Sequence, residues 1–134
     1  MRFEAMCLVV TLLAGFAPAG WAADSAPDPS FANPDHFVSN DGAFLYRAIC
    51  QGCHMADAKG AVGAATYPAL ASNPKLVSPL YPAVIVVNGS KAMPALGKLL
   101  DDDQVAAVVN YVRTHFGNRY TDELKAKDVA GVRP

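Results

Sequence analysis

Cys50-Gln51-Gly52-Cys53-His54 decides how this 134-residue chain is read. Two cysteines separated by two residues and followed at once by histidine form the attachment signature of a c-type haem. Each thiol of Cys50 and Cys53 can add to one vinyl group. The His54 imidazole then reaches the iron as an axial ligand, one of the levers by which a protein tunes haem chemistry. Two other chemistries use the same cysteine spacing. Zinc needs further Cys or His ligands, and the other histidines are only His36 and His115. A thioredoxin-like pair should sit between a strand and a helix in a run of βαβ units, whereas here an amphipathic helix runs into the motif. The motif therefore points to covalent haem.

Composition narrows the remaining classes. The formal charge is −1, with no long run of one sign, so there is no basic footprint for nucleic acid. Cys7 lies in an apolar leader and the other two cysteines are spent on haem, which leaves no disulfide framework. The chain has room for one domain, and a core this small usually needs a staple; a large apolar ring held by covalent bonds would supply it.

Upstream of the motif, Phe44, Leu45, Ala48 and Ile49 recur at helical spacing, and Asn40 or Asp41 can cap the start. This predicts a first helix that delivers the cysteines to the haem edge. Before it, residues 23–40 carry Pro27, Pro29 and Pro34 among serines and asparagine and read as an extended linker. Residues 1–22 have the parts of a secretory signal peptide: Arg2, an apolar run from Ala5 to Ala17, then Pro18 and small residues, with cleavage expected after Ala22. The rival is an uncleaved membrane anchor, because the apolar span approaches the length of a bilayer crossing. Cleavage gives an exported protein with no stable membrane insertion.

Downstream, Met55 to Asn73 lacks periodicity and is rich in small residues, as suits a loop wrapping one haem face. A short helix is expected from Ser78-Pro79 through Val86, stopping at Gly89. The clearest helix begins at Asp101, with Gln104 placed for a capping box, Val105, Val108, Val109 and Val112 as its apolar stripe, and Gly117 as its end. The domain proper is thus 41–118. Residues 119–134 form a polar extension expected to lie along the surface or fray, with Leu124, Val129 and Val132 as occasional anchors.

Iron held by His54 needs a decision about its other side. Met93 is the candidate, in a loop marked by Pro94 and far enough from His54 to reach the opposite face. The competing reading is core filler, a common use of methionine. Met55, beside His54, is too near to reach across. His36 and His115 are expected at the surface, His115 against a helix C-terminus.

Taken together, residues 41–118 resemble a class I cytochrome c. The resemblance implies an all-α fold, three to five short helices and long loops around one covalent haem c. It implies that Gly42 and Tyr46 pack on the C-terminal helix near Val108 and Tyr111, and that the Pro68 carbonyl accepts the His54 ring N–H, which fixes the ring and raises its basicity. Met93-Pro94-Ala95 resembles the family's distal-ligand motif. More narrowly, Tyr67 to Ala71, Met93 to Leu96 and Asn110 to Asn118 are similar to the cytochrome subunits of periplasmic alcohol and gluconate dehydrogenases, many of which carry three haem motifs where this chain has one. That likeness implies an electron carrier rather than an enzyme, taking electrons from a periplasmic dehydrogenase and passing them toward the respiratory chain. Lys59, Lys91 and Lys98 are candidate docking charges. Two rivals remain: a haem enzyme or ligand sensor with an openable sixth iron position, and a relay subunit inside an enzyme complex.

Overall fold

The computed structural model describes residues 36–63 and 65–134; the leader, its cleavage point and most of the linker lie outside the described residues. The first helical stretch is one continuous run built of α1 (Gly42–Leu45), a π-helical turn (Tyr46–Cys50) and α2 (Gln51–His54). Asp41 starts it, its carboxylate accepting from the amides of Ala43 at 2.7 Å and Phe44 at 3.2 Å. The wider turn, in which Gln51 N–H reaches back to the Tyr46 carbonyl, comes immediately before the cysteines. Such insertions concentrate at functional sites.

After His54 the chain forms a small hairpin, β1 (Ala61–Val62) antiparallel to β2 (Thr66–Tyr67), then a 3₁₀ turn (Pro74–Val77). The expectation of an all-α chain is corrected here: the fold is mostly helical and carries this two-stranded sheet within the long loop. Gly60 makes the hairpin possible, since at φ +68° a Cβ would meet the Tyr67 carbonyl oxygen at 2.1 Å.

Next come α3 (Leu80–Asn88), α4 (Asp102–Thr114) and α5 (Ala126–Ala130). Proline at the start of α3 lacks only an N–H that would be unsatisfied anyway, and Gly89 ends the helix at φ +73°. In α4 the capping box forms as the sequence predicts: Gln104 N donates to Asp101 Oδ1 at 2.8 Å and Asp101 N donates to Gln104 Oε1 at 3.1 Å. Its four stripe valines are buried. The helix stops at Thr114 rather than running to Gly117. The Thr114 hydroxyl donates back to the Asn110 carbonyl at 2.8 Å, and His115 Nδ1 lies 2.9 Å from the Tyr111 carbonyl, so side chains satisfy the last turn. Gly117, at φ +82°, belongs to the turn beyond.

α1 packs against α4 at Gly42, where an added Cβ would lie 2.3 Å from the Ala107 carbonyl oxygen and 2.8 Å from Tyr111 Cβ. The close partner is thus Ala107 with Tyr111, not Val108. Tyr46 follows, its ring 5.9 Å from Tyr111 and 4.8 Å from Phe116.

The C-terminal extension neither frays nor skims the surface. Leu124 and Val129 are fully buried in the core. Asn110 holds the segment with a reciprocal pair, Nδ2 to the Leu124 carbonyl and Leu124 N to Oδ1, both 2.9 Å. Arg133 donates to Asp102 Oδ1 at 2.5 Å and to the Leu100 carbonyl at 2.9 Å. At the other end of α4, Arg113 is 1% exposed, and its guanidinium donates to the carbonyls of Leu76 at 2.9 Å and Val77 at 3.2 Å and to the Asp122 carboxylate at 2.6 Å. The linker's last residues also pack: Phe37 meets Phe44 edge-on at 6.5 Å, and Gln104 Nε2 donates to the Phe37 carbonyl at 2.5 Å.

Two substitutions test these contacts. Gly42→Ala improves helix propensity, yet overpacking against Ala107 should cost about 1–3 kcal/mol, read as a lower denaturant midpoint at constant slope; a more stable variant would contradict the helix contact. Arg113→Lys cannot reproduce the fork and leaves buried carbonyls unpaired, at a cost of about 1–3 kcal/mol. The Arg113 guanidinium beside Asp122 holds that carboxyl below its ordinary value. The pair's contribution is therefore present above the unfolded aspartate value and lost as pH falls through the lower folded one. Urea titrations across the acid range should show a smaller acid-dependent loss for Arg113→Lys than for the parent; equal acid limbs would contradict the pairing.

Candidate haem-binding site

Cys50, His54, Pro68 and Met93 line one cavity of about 200 Å³ that opens to solvent. Its walls are almost wholly apolar, with Ile85 and Val86 from α3 and Val108, Val109 and Val112 from α4. Four of the five residues singled out in the sequence thus meet on one cavity. Cys53, three residues after Cys50 on the same helical run, is exposed beside it.

His54 is buried, 7% exposed, with Nδ1 2.9 Å from the Pro68 carbonyl oxygen. A carbonyl only accepts, so this contact places the proton on Nδ1 and leaves the Nε2 lone pair bare. The backbone around the ring is tied from several directions. Gly60 N donates to the His54 carbonyl at 3.1 Å, while Leu70 N and Ala71 N both donate to the Ala58 carbonyl, at 2.8 and 2.9 Å. Asn118 joins the loop to α4, its Nδ2 donating to Leu70 and Val112 carbonyls at 2.8 Å each and its Oδ1 accepting from Asn73 N at 2.9 Å. No periodicity marks Asn118; the signal was a lone polar residue just past a helix end.

Met93 arrives from the other direction. Ser90 and Met93 exchange backbone hydrogen bonds of 3.0 and 2.9 Å, closing a tight turn with Lys91 at φ +54°. Leu96 N donates to Val86 O at 2.9 Å and Gly97 N to Val87 O at 3.1 Å, strapping the loop to α3. Gly89 permits the approach, because a Cβ there would lie 2.8 Å from the Met93 carbonyl oxygen.

These donors suit one kind of occupant. An imidazole nitrogen, a thioether and a thiol around an apolar slot match a flat apolar ring with a central metal. Among the described residues no group of three His, Cys, Asp or Glu could hold a bare metal ion. Burial pushes the Cys50 thiol up to about 11, with Cys53 adding to the shift, whereas a thioredoxin-like nucleophile needs a lowered value. His36 and His115 are exposed, His115 stacked on Tyr111 at 4.1 Å. The cavity lining includes Lys75; Lys59, Lys91 and Lys98 are not in it, and Lys59 pairs with Asp57 at 3.2 Å.

Residues 39–112 match the family described as cytochrome C oxidase, cbb3-type, subunit III. The chain is similar to the fructose dehydrogenase cytochrome subunit of Gluconobacter japonicus, 36% identical over 94 residues, 60% of this chain and 19% of that one. It is 34% identical to the cytochrome c subunit of alcohol dehydrogenase (quinone) of Gluconacetobacter polyoxogenes, over 79% of this chain and 26% of the relative. The gluconate 2-dehydrogenase cytochrome c subunit of Pantoea cypripedii is 36% identical over 71% of this chain and 24% of its own length. The chain spans about a fifth to a quarter of the length of these curated relatives. Among the described residues no helix is long and apolar enough to cross a membrane. A cytochrome c domain implies covalently bound haem c, the group to which the cavity's donors are suited. With more than half of its length matched, this chain belongs to the cytochrome c family of the cbb3-type subunit III description.

Proposed function

We propose that the chain is a single-haem cytochrome c that transfers single electrons, taking them from a dehydrogenase and passing them toward the respiratory chain. The observation that carries this reading is one apolar cavity bearing a bare imidazole nitrogen of His54, the thioether residue Met93 and the thiol residue Cys50. Bound there, the haem would supply a one-electron ferric/ferrous couple.

The chain's own residues do the rest. Cys50 and Cys53 would hold the ring by thioether bonds, and His54 and Met93 would hold its iron. The Pro68 carbonyl fixes the His54 tautomer and makes its free nitrogen more basic. A thioether opposite imidazole favours the ferrous state and raises the potential. With His54 and Met93 both holding the iron, the site would suit electron transfer rather than substrate binding. Valines and Ile85 exclude water and lower the local dielectric, a further lever on the potential.

The named relatives are cytochrome subunits of fructose, alcohol and gluconate dehydrogenases, which supports a dehydrogenase as the electron donor for this chain too. The secretory leader read at residues 1–22 supports a periplasmic location.

Expressed with haem-maturation factors, the protein should show the weak far-red ferric band of sulfur ligation. Met93→Ala should lose that band, bind added imidazole or cyanide, and drop in potential by a sizeable part of the roughly 0.8 V that axial ligands span. An unchanged spectrum would exclude Met93 as a ligand and favour the haem enzyme or sensor. Stopped-flow reduction by a sugar or alcohol dehydrogenase then tests the donor: reduction is expected within the enzyme's turnover time, and no reduction by any of them would contradict the assignment.

A further inference from the structure

Met55, immediately after His54, sits at φ +66° and ψ 162°. That conformation is essentially restricted to glycine, and a side chain there persists only where its surroundings enforce it. Nothing in the cavity requires a methionine at this position, since Met55 is not among its lining residues. The enforcement comes from hydrogen bonds. The Tyr46 hydroxyl donates to the Met55 carbonyl at 2.8 Å, Ala58 N donates to the same oxygen at 3.1 Å, and Met55 N donates to the Gln51 carbonyl at 2.9 Å. Tyr46 can press on this peptide because its ring is clamped, 1% exposed between Tyr111 and Phe116.

The flipped peptide has a purpose visible in the chain path. It turns the backbone sharply out of α2, so that Gly60 N can reach the His54 carbonyl at 3.1 Å and the returning strand can set the Pro68 carbonyl 2.9 Å from His54 Nδ1. We infer that Tyr46 is a positioning residue for His54: its hydroxyl holds the strained Met55 peptide, and through that turn it fixes the direction and basicity of the imidazole. This rests on His54 being the axial ligand proposed above. Without the hydroxyl, Met55 is free to relax toward negative φ, the turn shifts, and the Pro68 bond to the ring lengthens. A less basic imidazole stabilises ferric iron less, so the potential rises.

Holoproteins of Tyr46→Phe, Met55→Gly and the double variant test this, read by ferric electron paramagnetic resonance, midpoint potential and denaturant midpoint. Tyr46→Phe should shift the low-spin g values and raise the potential. Met55→Gly should leave the g values in place and raise the denaturant midpoint, because glycine occupies this conformation without strain. In the double variant the g values and potential should return to those of the parent. Parent-like g values and potential in Tyr46→Phe, or the same shift with and without Met55→Gly, would overturn the inference. If Tyr46→Phe yields no holoprotein, recovery of holoprotein in the double variant supports it and failure to recover overturns it. A parent protein without a low-spin histidine-ligated signal would instead overturn the haem-ligand reading itself, and this inference with it.

Discussion

The 2.9 Å contact between His54 Nδ1 and the Pro68 carbonyl is the interaction on which the site depends. It joins the end of the first helical run to a loop fourteen residues further on, and it decides which ring nitrogen carries a proton. A buried imidazole held this way presents one lone pair in one direction. The loop has to be built to deliver a carbonyl to that spot. Gly60, the β1–β2 hairpin and the paired amides of Leu70 and Ala71 on the Ala58 carbonyl do so.

Much of the remaining structure is held by side chains that satisfy backbone groups rather than by regular packing. Asn118, Asn110, Arg113 and Arg133 each tie carbonyls or amides of loops to α4 or its ends. A domain with few helices and long loops exposes many backbone groups that sheets or helices would otherwise pair. Placing an amide or guanidinium at each junction lets the loops stay irregular and still pack. The apolar side of α4 and the inner side of α3 are then free to form the cavity wall.

What could be read from the sequence follows from how local each signal is. The attachment motif and the capping box of α4 are complete within a few residues, and Val105 to Val112 repeat often enough to define a face. Met93 stood out because Gly89 and Pro94 bracket it. The π-helical turn left no trace, since one wider turn barely disturbs the pattern of Phe44, Leu45, Ala48 and Ile49. Two strands of two residues each are too short for alternation to register. The C-terminal segment was expected to lie along the surface or fray because Leu124 and Val129 are isolated, and the groups that anchor it, Asn110 for Leu124 and Asp102 for Arg133, are distant in sequence. Likewise the end of α4 was set by Thr114 and His115 side chains, not by the nearest glycine. Lys75 lines the cavity, and nothing in its sequence neighbours says so.

Cys50 and Cys53 together are proposed to fasten one porphyrin over His54. Intact-mass measurement of the protein made where cytochromes mature, with thiol alkylation of the unfolded chain, tests it directly. The expected result is a polypeptide heavier by one haem in which neither Cys50 nor Cys53 reacts. A colourless chain of amino-acid mass, with both thiols alkylated, would contradict it.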